Sequence, residues 1–142
     1  MIRIFILLAV LSGTISISAS ADTSSELFLI LTSSDAETQM MALVLTTQAM
    51  NQNVTVRVLL CSDAANLALR ESDSPAFKPA NRSPKDLIKQ LLSKGAVVEV
   101  CGIFLPNRPN LSEKDLLDNV GTAHPPEVAS YMKRPDVRYF SF

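Results

Sequence analysis

Two cysteines, one histidine and a short run of hydroxyl residues carry whatever chemistry this sequence can do. Cys101 closes the apolar, β-branched stretch 96–100 and is followed by Gly102. A thiol just past a strand is where backbone amides converge on a thiolate and lower its pKa, which makes it a nucleophile. Gly102 lets a ligand or a second stretch of backbone approach closely. The competing reading is a buried cysteine acting as a small hydrophobe. Cys61 closes a similar stretch, 54–60. A helix start beyond it favours its thiolate, whereas Asp63 opposes it. Its candidate roles are a core thiol, a resolving thiol or the disulfide partner of Cys101. A disulfide needs Cα atoms within about 7 Å, so non-adjacent strands would forbid it. His124 is a candidate base for a thiol if its strand end lies near Cys101, and otherwise a solvated loop residue. Ser33 and Ser34 precede a helix, where backbone amides attract anions. Asp35 and Glu37 weaken that idea, and an S-x-x-E capping box from Ser34 to Glu37 explains the serines as well. A single histidine excludes a multi-histidine metal site, and neither a metal nor a cofactor is expected.

The elements that position these residues alternate between two periodicities. Residues 26–32 form a continuous apolar run suited to a strand covered on both faces. Residues 36–50 place Ala36, Met40, Leu43, Val44 and Thr47 on one helical stripe. A β-branched strand over 54–60 and a short helix over 64–69 follow, and then a Ser/Asp/Pro loop over 71–81. Ser83 and Pro84 form a strong helix start, and Gly95 is the expected stop. A third strand over 96–100, a loop with two prolines, a short helix from Ser112 and a weak strand over 119–123 come next. Pro125 and Pro126 open a last helix, and residues 137–142 alternate with period two. The apolar loop Ile103, Phe104 and Leu105 after Cys101 suits an interface. Arg57, Arg70, Arg82, Lys85 and Lys89 are scattered and read as solvated surface. The order βαβααβαβαβ implies an α/β fold: a three-layer α/β/α sandwich around a parallel sheet of about five strands. Sites in such sheets gather at the carboxyl ends of the strands. Both cysteines fall at that edge.

The surrounding sequence narrows the function class. The first 21 of 142 residues read as a secretory signal, with Arg3, an apolar stretch over 4–11 and the small-x-small site Ala19-Ser20-Ala21. Cleavage is expected between Ala21 and Asp22, leaving one domain over 22–142 with a periplasmic destination and no membrane anchor. The apolar share of 47% supports a real core. A formal net charge of −1 argues against nucleic acid, whose phosphates call for a basic face. Two cysteines are too few for a disulfide-dense scaffold.

The sequence resembles the DsrE/DsrF-like family of small sulfur-relay proteins. The resemblance rests on 26–32 with its helix, 54–61, the stretch 94–102 containing Gly-Ala-x-Val-x-Val-Cys, and 111–120. It implies an α/β/α sandwich around a five-stranded parallel sheet, assembly into homo- or hetero-oligomers, and a sulfur-carrying role for Cys101. In relay members the matching cysteine holds sulfur as a persulfide and passes it between donor and acceptor proteins. The expected export signal sets this chain apart from the cytoplasmic relay proteins. Two roles follow: an exported thiol-dependent sulfur carrier or redox protein, or a non-catalytic ligand-binding or assembly module with structural cysteines.

Overall fold

A computed structural model describes residues 26–142; the expected leader and its cleavage point lie outside the described residues. The apolar runs become five strands: β1 (Glu26–Leu31), β2 (Thr55–Leu60), β3 (Val97–Cys101), β4 (Val120–Ala123) and β5 (Val137–Ser141). All pair in parallel, in the order β4-β3-β2-β1-β5. Three helices connect them: α1 (Ala36–Asn51), α2 (Pro84–Ser93) and α3 (Pro125–Tyr131). The α/β/α sandwich expected from the sequence is thus observed.

Strand alternation sorts the core into two layers. Leu29, Leu31, Val56, Val58, Leu60, Val98 and Val100 face α1 and α2, where Leu43, Ile88 and Leu91 meet them. The intervening residues Phe28 and Leu59 face the opposite layer, with Ala123, Val137 and the α3 residues Val128 and Tyr131. The first layer is thick. The second holds a single short helix, because only the β4-to-β5 connection crosses that face. Most of α3 is exposed.

Helix starts follow local capping chemistry. At α2, the Ser83 hydroxyl accepts from the Asp86 amide, and the Asp86 carboxylate accepts from the Ser83 amide. Gly95, at φ 89°, takes the left-handed backbone that ends the α2 region, as its type predicts. The start of α1 differs from expectation. Asp35, not Ser34, is the cap, and its carboxylate accepts from the Thr38 amide at 2.7 Å. A carboxylate is the stronger acceptor at the positive end of a helix.

The stripe of α1 also shifts. Leu43 and Thr47 are buried as expected, but Gln39, Ala42 and Thr46 join them, while Ala36, Met40 and Val44 are only partly covered. Polar burial is tolerated because each group has a local acceptor. Thr46 and Thr47 hydroxyls donate to the Ala42 and Leu43 carbonyls, and Gln39 Nε2 donates to the Ser33 carbonyl. The expected helix over 64–69 is instead a 3-10 helix, Ser62–Ala68, with no side-chain cap. Phe104 is 2% exposed and sits in the core under Arg108, so of the apolar triplet only Ile103 stands clear of the surface.

Two of the cations read as solvated are not. Lys85 is 6% exposed, and its ammonium donates to the carbonyls of Arg70 and Ser72, tying down the start of the 71–81 loop. Arg57 pairs with Glu99 at 2.7 Å across β2 and β3, with both side chains 14% exposed. In each case the partner lies far along the chain, where charge spacing gives no warning.

Candidate functional site

The carboxyl edge of the sheet collects the residues singled out for chemistry. Leu60 pairs with Val100, so the next residues, Cys61 and Cys101, stand opposite one another on adjacent strands. Their Cα atoms are 5.1 Å apart and their sulfurs are bonded. That separation is close to the ordinary spacing of paired strands and within the range a disulfide spans. The strand adjacency that a disulfide between them requires is therefore met. Both cysteines continue the alternation of Leu59 and Glu99, so the disulfide lies on the α3 face. Cys61 packs against the Phe28–Leu59 cluster there.

Cys101 also pairs with Ala123 at the end of β4. Beyond Cys101 the chain turns toward the α1/α2 layer, where Phe104 and Leu116 are buried. Beyond Ala123 it turns toward the opposite face and enters α3. Neighbouring carboxyl ends whose connections part to opposite faces form a topological switch point, the usual place for a site in an open α/β sheet. Cys101 sits at that point.

Gly102 works here through close approach. A Cβ built at Gly102 would stand 2.7 Å from the Ala123 carbonyl oxygen and 3.8 Å from Pro125 Cδ. The gap between β3 and β4 is thus filled by protein backbone, and that is the neighbour Gly102 admits. His124 follows Ala123 directly and is exposed. Its carbonyl accepts from the amides of Glu127 and Val128 as the backbone cap of α3. The histidine therefore shares the edge with Cys101.

Ser33 and Ser34 lie at the same edge, on the far side of β2. The Ser33 hydroxyl accepts from the Asp35 amide at 3.1 Å, and its amide donates to the Phe142 oxygen, so it serves the turn into α1. Ser34 lines a polar cavity of about 320 Å³ with Gln39, Asp63, Asn66, Asp73 and Ser74. The Asp35 carboxyl is held below its ordinary pKa by hydrogen bonding to Thr38. An anion at this helix start would meet a carboxylate already in place.

Sequence reasoning missed the cluster beneath α3. The Tyr131 ring stands edge-on to Phe28 at 5.3 Å between centroids. The Arg57 guanidinium lies over it at 4.7 Å and that of Arg134 at 5.2 Å. Its hydroxyl donates to Glu26, which also pairs with Arg134. Burial, then the Glu26 carboxylate, push the Tyr131 phenol up to about 12. No local spacing could reveal a cluster assembled from β1, β2 and α3.

No family model matches the sequence. The chain is 30% identical over 115 residues to the uncharacterized protein MJ0760 of Methanocaldococcus jannaschii, covering 80% of this chain. The chain spans 42% of that relative's length. Among solved structures, the YchN protein of E. coli superposes with a TM-score of 0.68 at 19% identity, covering 83% of this chain and 99% of that one. A protein of unknown function from Methanobacterium thermoautotrophicum, MTH1491, gives 0.57 at 17% identity, covering 82% and 96%. These likenesses show a shared fold. They agree with the DsrE/DsrF-like architecture that the sequence resembles.

Proposed function

We propose that this protein is an exported thiol-dependent redox or sulfur-handling protein whose reactive pair is Cys61 and Cys101. The observation that carries this reading is the bonding of the two cysteines at the carboxyl edge, with Cys101 at the switch point between β3 and β4. In the oxidised form, an incoming thiolate attacks one sulfur, forms a mixed disulfide and releases the other sulfur as a thiolate. A second thiolate then attacks the sulfur of the first reagent, releasing the remaining cysteine and a new disulfide. In the reduced form, the Cys101 thiolate attacks the outer sulfur of a sulfane-sulfur donor and becomes a persulfide as the donor leaves as a thiolate. Export to an oxidising compartment agrees with a persistent disulfide.

The test uses protein first reduced and then exposed to a sulfane-sulfur donor. Intact and peptide mass spectrometry should find one added sulfur atom on Cys101. Absence of that adduct, together with a disulfide that no thiol reagent reduces in the folded state, would leave the pair purely structural.

Self-association has its own observation. Met41, Leu45 and Phe140 are more than half exposed beside the edge strand β5. Next to them Leu27, Leu29, Ala42 and Phe142 line an apolar groove of about 360 Å³. An apolar groove beside an open strand edge fits a second copy of the chain. Sedimentation of wild type and Phe140→Glu tests it: an oligomer that the variant converts to monomer supports assembly, and a wild-type monomer refutes it.

A further inference from the structure

The polar cavity of about 320 Å³ beyond the carboxyl ends of β1 and β2 borders one polar atom that the fold leaves unserved. Gln39 lines this cavity and is 6% exposed. Its Nε2 donates to the Ser33 carbonyl at 2.7 Å, and its Oε1 accepts from no described residue. Among the described residues, no side-chain polar atom sealed from solvent lacks a partner, so this oxygen reaches open space. The cavity is the open space that Gln39 lines. An amide oxygen on a side chain this buried calls for a donor, and a ligand entering the cavity can bring one.

The other walls fix the sign of that ligand. Asp63 and Asp73 bring two carboxylates, Ser34, Asn66 and Ser74 bring neutral polar groups, and no cationic side chain lines the cavity. Neither carboxylate forms an ion pair within the described residues. The amino end of α1 would otherwise draw an anion, but the Asp35 carboxylate already occupies it. Lys85 acts on Asp73 through its charge, yet its ammonium is spent on the carbonyls of Arg70 and Ser72. The walls are also fixed before a ligand arrives. The Ser72 hydroxyl donates to the Asn66 and Leu69 carbonyls, and the Lys85 amide donates to Ser74 Oγ. These bonds tie the 71–81 loop to the 3-10 helix on one side and to α2 on the other. A preformed cavity spares a ligand the cost of ordering its site.

We propose that this cavity binds a small aliphatic amine as its ammonium, with Asp63 and Asp73 as countercharge and Gln39 Oε1 accepting one of its N–H bonds. The site is separate from the redox reading and stands without it. An ammonium has donors and no acceptor, which matches a lining of carboxylate and amide oxygens. Charge-assisted bonds of this kind are roughly twice as strong as neutral ones. A divalent metal fits less well. Calcium takes about six to eight oxygen ligands. Among the described residues, no three Asp, Glu, His or Cys side chains group closely enough to hold a metal ion. The volume sits at the small end of ligand sites, which suits a chain of a few carbons.

The experiment titrates the folded, oxidised protein with 1,4-diaminobutane by calorimetry at low ionic strength and follows the side-chain amide signals of Gln39 and Asn66 by NMR. Saturable binding that shifts the Gln39 amide is expected. 1,4-Butanediol, of equal length but uncharged, should not bind. Asp63 and Asp73 are exposed, so the double variant Asp63→Asn/Asp73→Asn should keep the fold. It should weaken diamine binding by about tenfold or more. Gln39→Met, which keeps the shape and removes the acceptor, should weaken it by about threefold or more. If that variant does not fold, the aspartate pair decides. Glu113→Gln, an exposed carboxylate outside the cavity, should leave the affinity unchanged. Absence of saturable binding at millimolar diamine overturns the proposal. So does an equal loss in Glu113→Gln, which would mark diffuse attraction to surface charge. Calcium chloride that displaces the diamine at a lower concentration than the diamine itself needs would make the site a metal site and overturn it as well.

Discussion

Breaking the Cys61–Cys101 bond closes off the largest covalent constraint on this domain, and its cost follows from the structure. The bond joins residues 40 apart in sequence. Closing a loop of that length removes about 13 cal/mol/K from the unfolded chain, or about 4 kcal/mol at 25 °C. A domain of this size has roughly 5–15 kcal/mol in all, so the reduced protein keeps a folded majority with a thin margin. The β2–β3 ladder up to Leu60 and Val100 does not depend on the bond, and it holds the strand ends in register after reduction. The assay is equilibrium urea unfolding of the oxidised protein, the protein in a phosphine reductant, and the Cys61→Ala/Cys101→Ala double variant. With an m value of about 1.5 kcal/mol/M, the midpoint should fall by roughly 2.5 M in both reduced and double-variant samples. Far-UV circular dichroism before the transition should be unchanged. A loss under about 1 kcal/mol refutes the chain-entropy argument. Unfolding on reduction alone would refute redox cycling, because a protein that cycles must survive in both states.

Three other outcomes follow from specific contacts. Gly102→Ala places a methyl 2.7 Å from a backbone carbonyl that cannot swing away, so denaturation should show a loss of about 2 kcal/mol. Gly121→Ala, whose nearest neighbour is Glu99 Cγ at 3.4 Å, an ordinary van der Waals distance, should lose far less, and equal losses would refute the contact argument. Lys85→Ala leaves the carbonyls of Arg70 and Ser72 without their charged donor and should cost about 2 kcal/mol in the same assay, with faster proteolysis in the 71–81 loop. On the acid side, Asp86 is held below its ordinary pKa by the Ser83 amide and then the Ser83 hydroxyl, and Asp115 likewise by those of Ser112. The unfolded state thus binds protons first as pH falls. Stability is full above about pH 4 and declines below it as the native carboxylates titrate. Asp86→Asn should flatten that decline in urea midpoints measured between pH 6 and 3.

What the sequence discloses about this protein is local, and what it conceals is assembled across strands. The apolar runs, the Ser83–Pro84 start and the Gly95 stop are legible because each is decided within a few residues. The parallel order follows from the alternation of strands and helices. The pairing of Cys61 with Cys101 is not legible, since it depends on β2 lying beside β3 with Leu60 opposite Val100. Arg57 and Lys85 mislead for the same reason: their partners Glu99, Arg70 and Ser72 are brought in by the fold. The α1 stripe fails differently. Threonine and glutamine read as polar, yet Thr46, Thr47 and Gln39 satisfy their own polar groups on nearby carbonyls and can be buried. Gly102 signals room for a neighbour, and that neighbour is the backbone of Ala123.

The rigidity of this edge bears on the choice between carrying sulfur and exchanging electrons. Cys101 is restrained on one side by the β2 ladder and on the other by Gly102 seated against Ala123. After reduction both thiols therefore stay near the 5.1 Å Cα separation they have when bonded. A persulfide formed on Cys101 would then face a preplaced nucleophile. The Cys61 thiolate attacks Cys101 Sγ, the disulfide re-forms, and hydrosulfide leaves with the electron pair. Wild-type protein should accordingly release sulfide from a sulfane-sulfur donor in proportion to the disulfide formed, and its persulfide should be short-lived. Cys61→Ser removes the nucleophile while keeping the edge intact, so the persulfide on Cys101 should persist at least tenfold longer by time-resolved mass spectrometry. An equally short lifetime in that variant would show that Cys61 does not resolve the intermediate. A long lifetime in both would instead favour a carrier that hands its sulfur to another protein before Cys61 can close the ring.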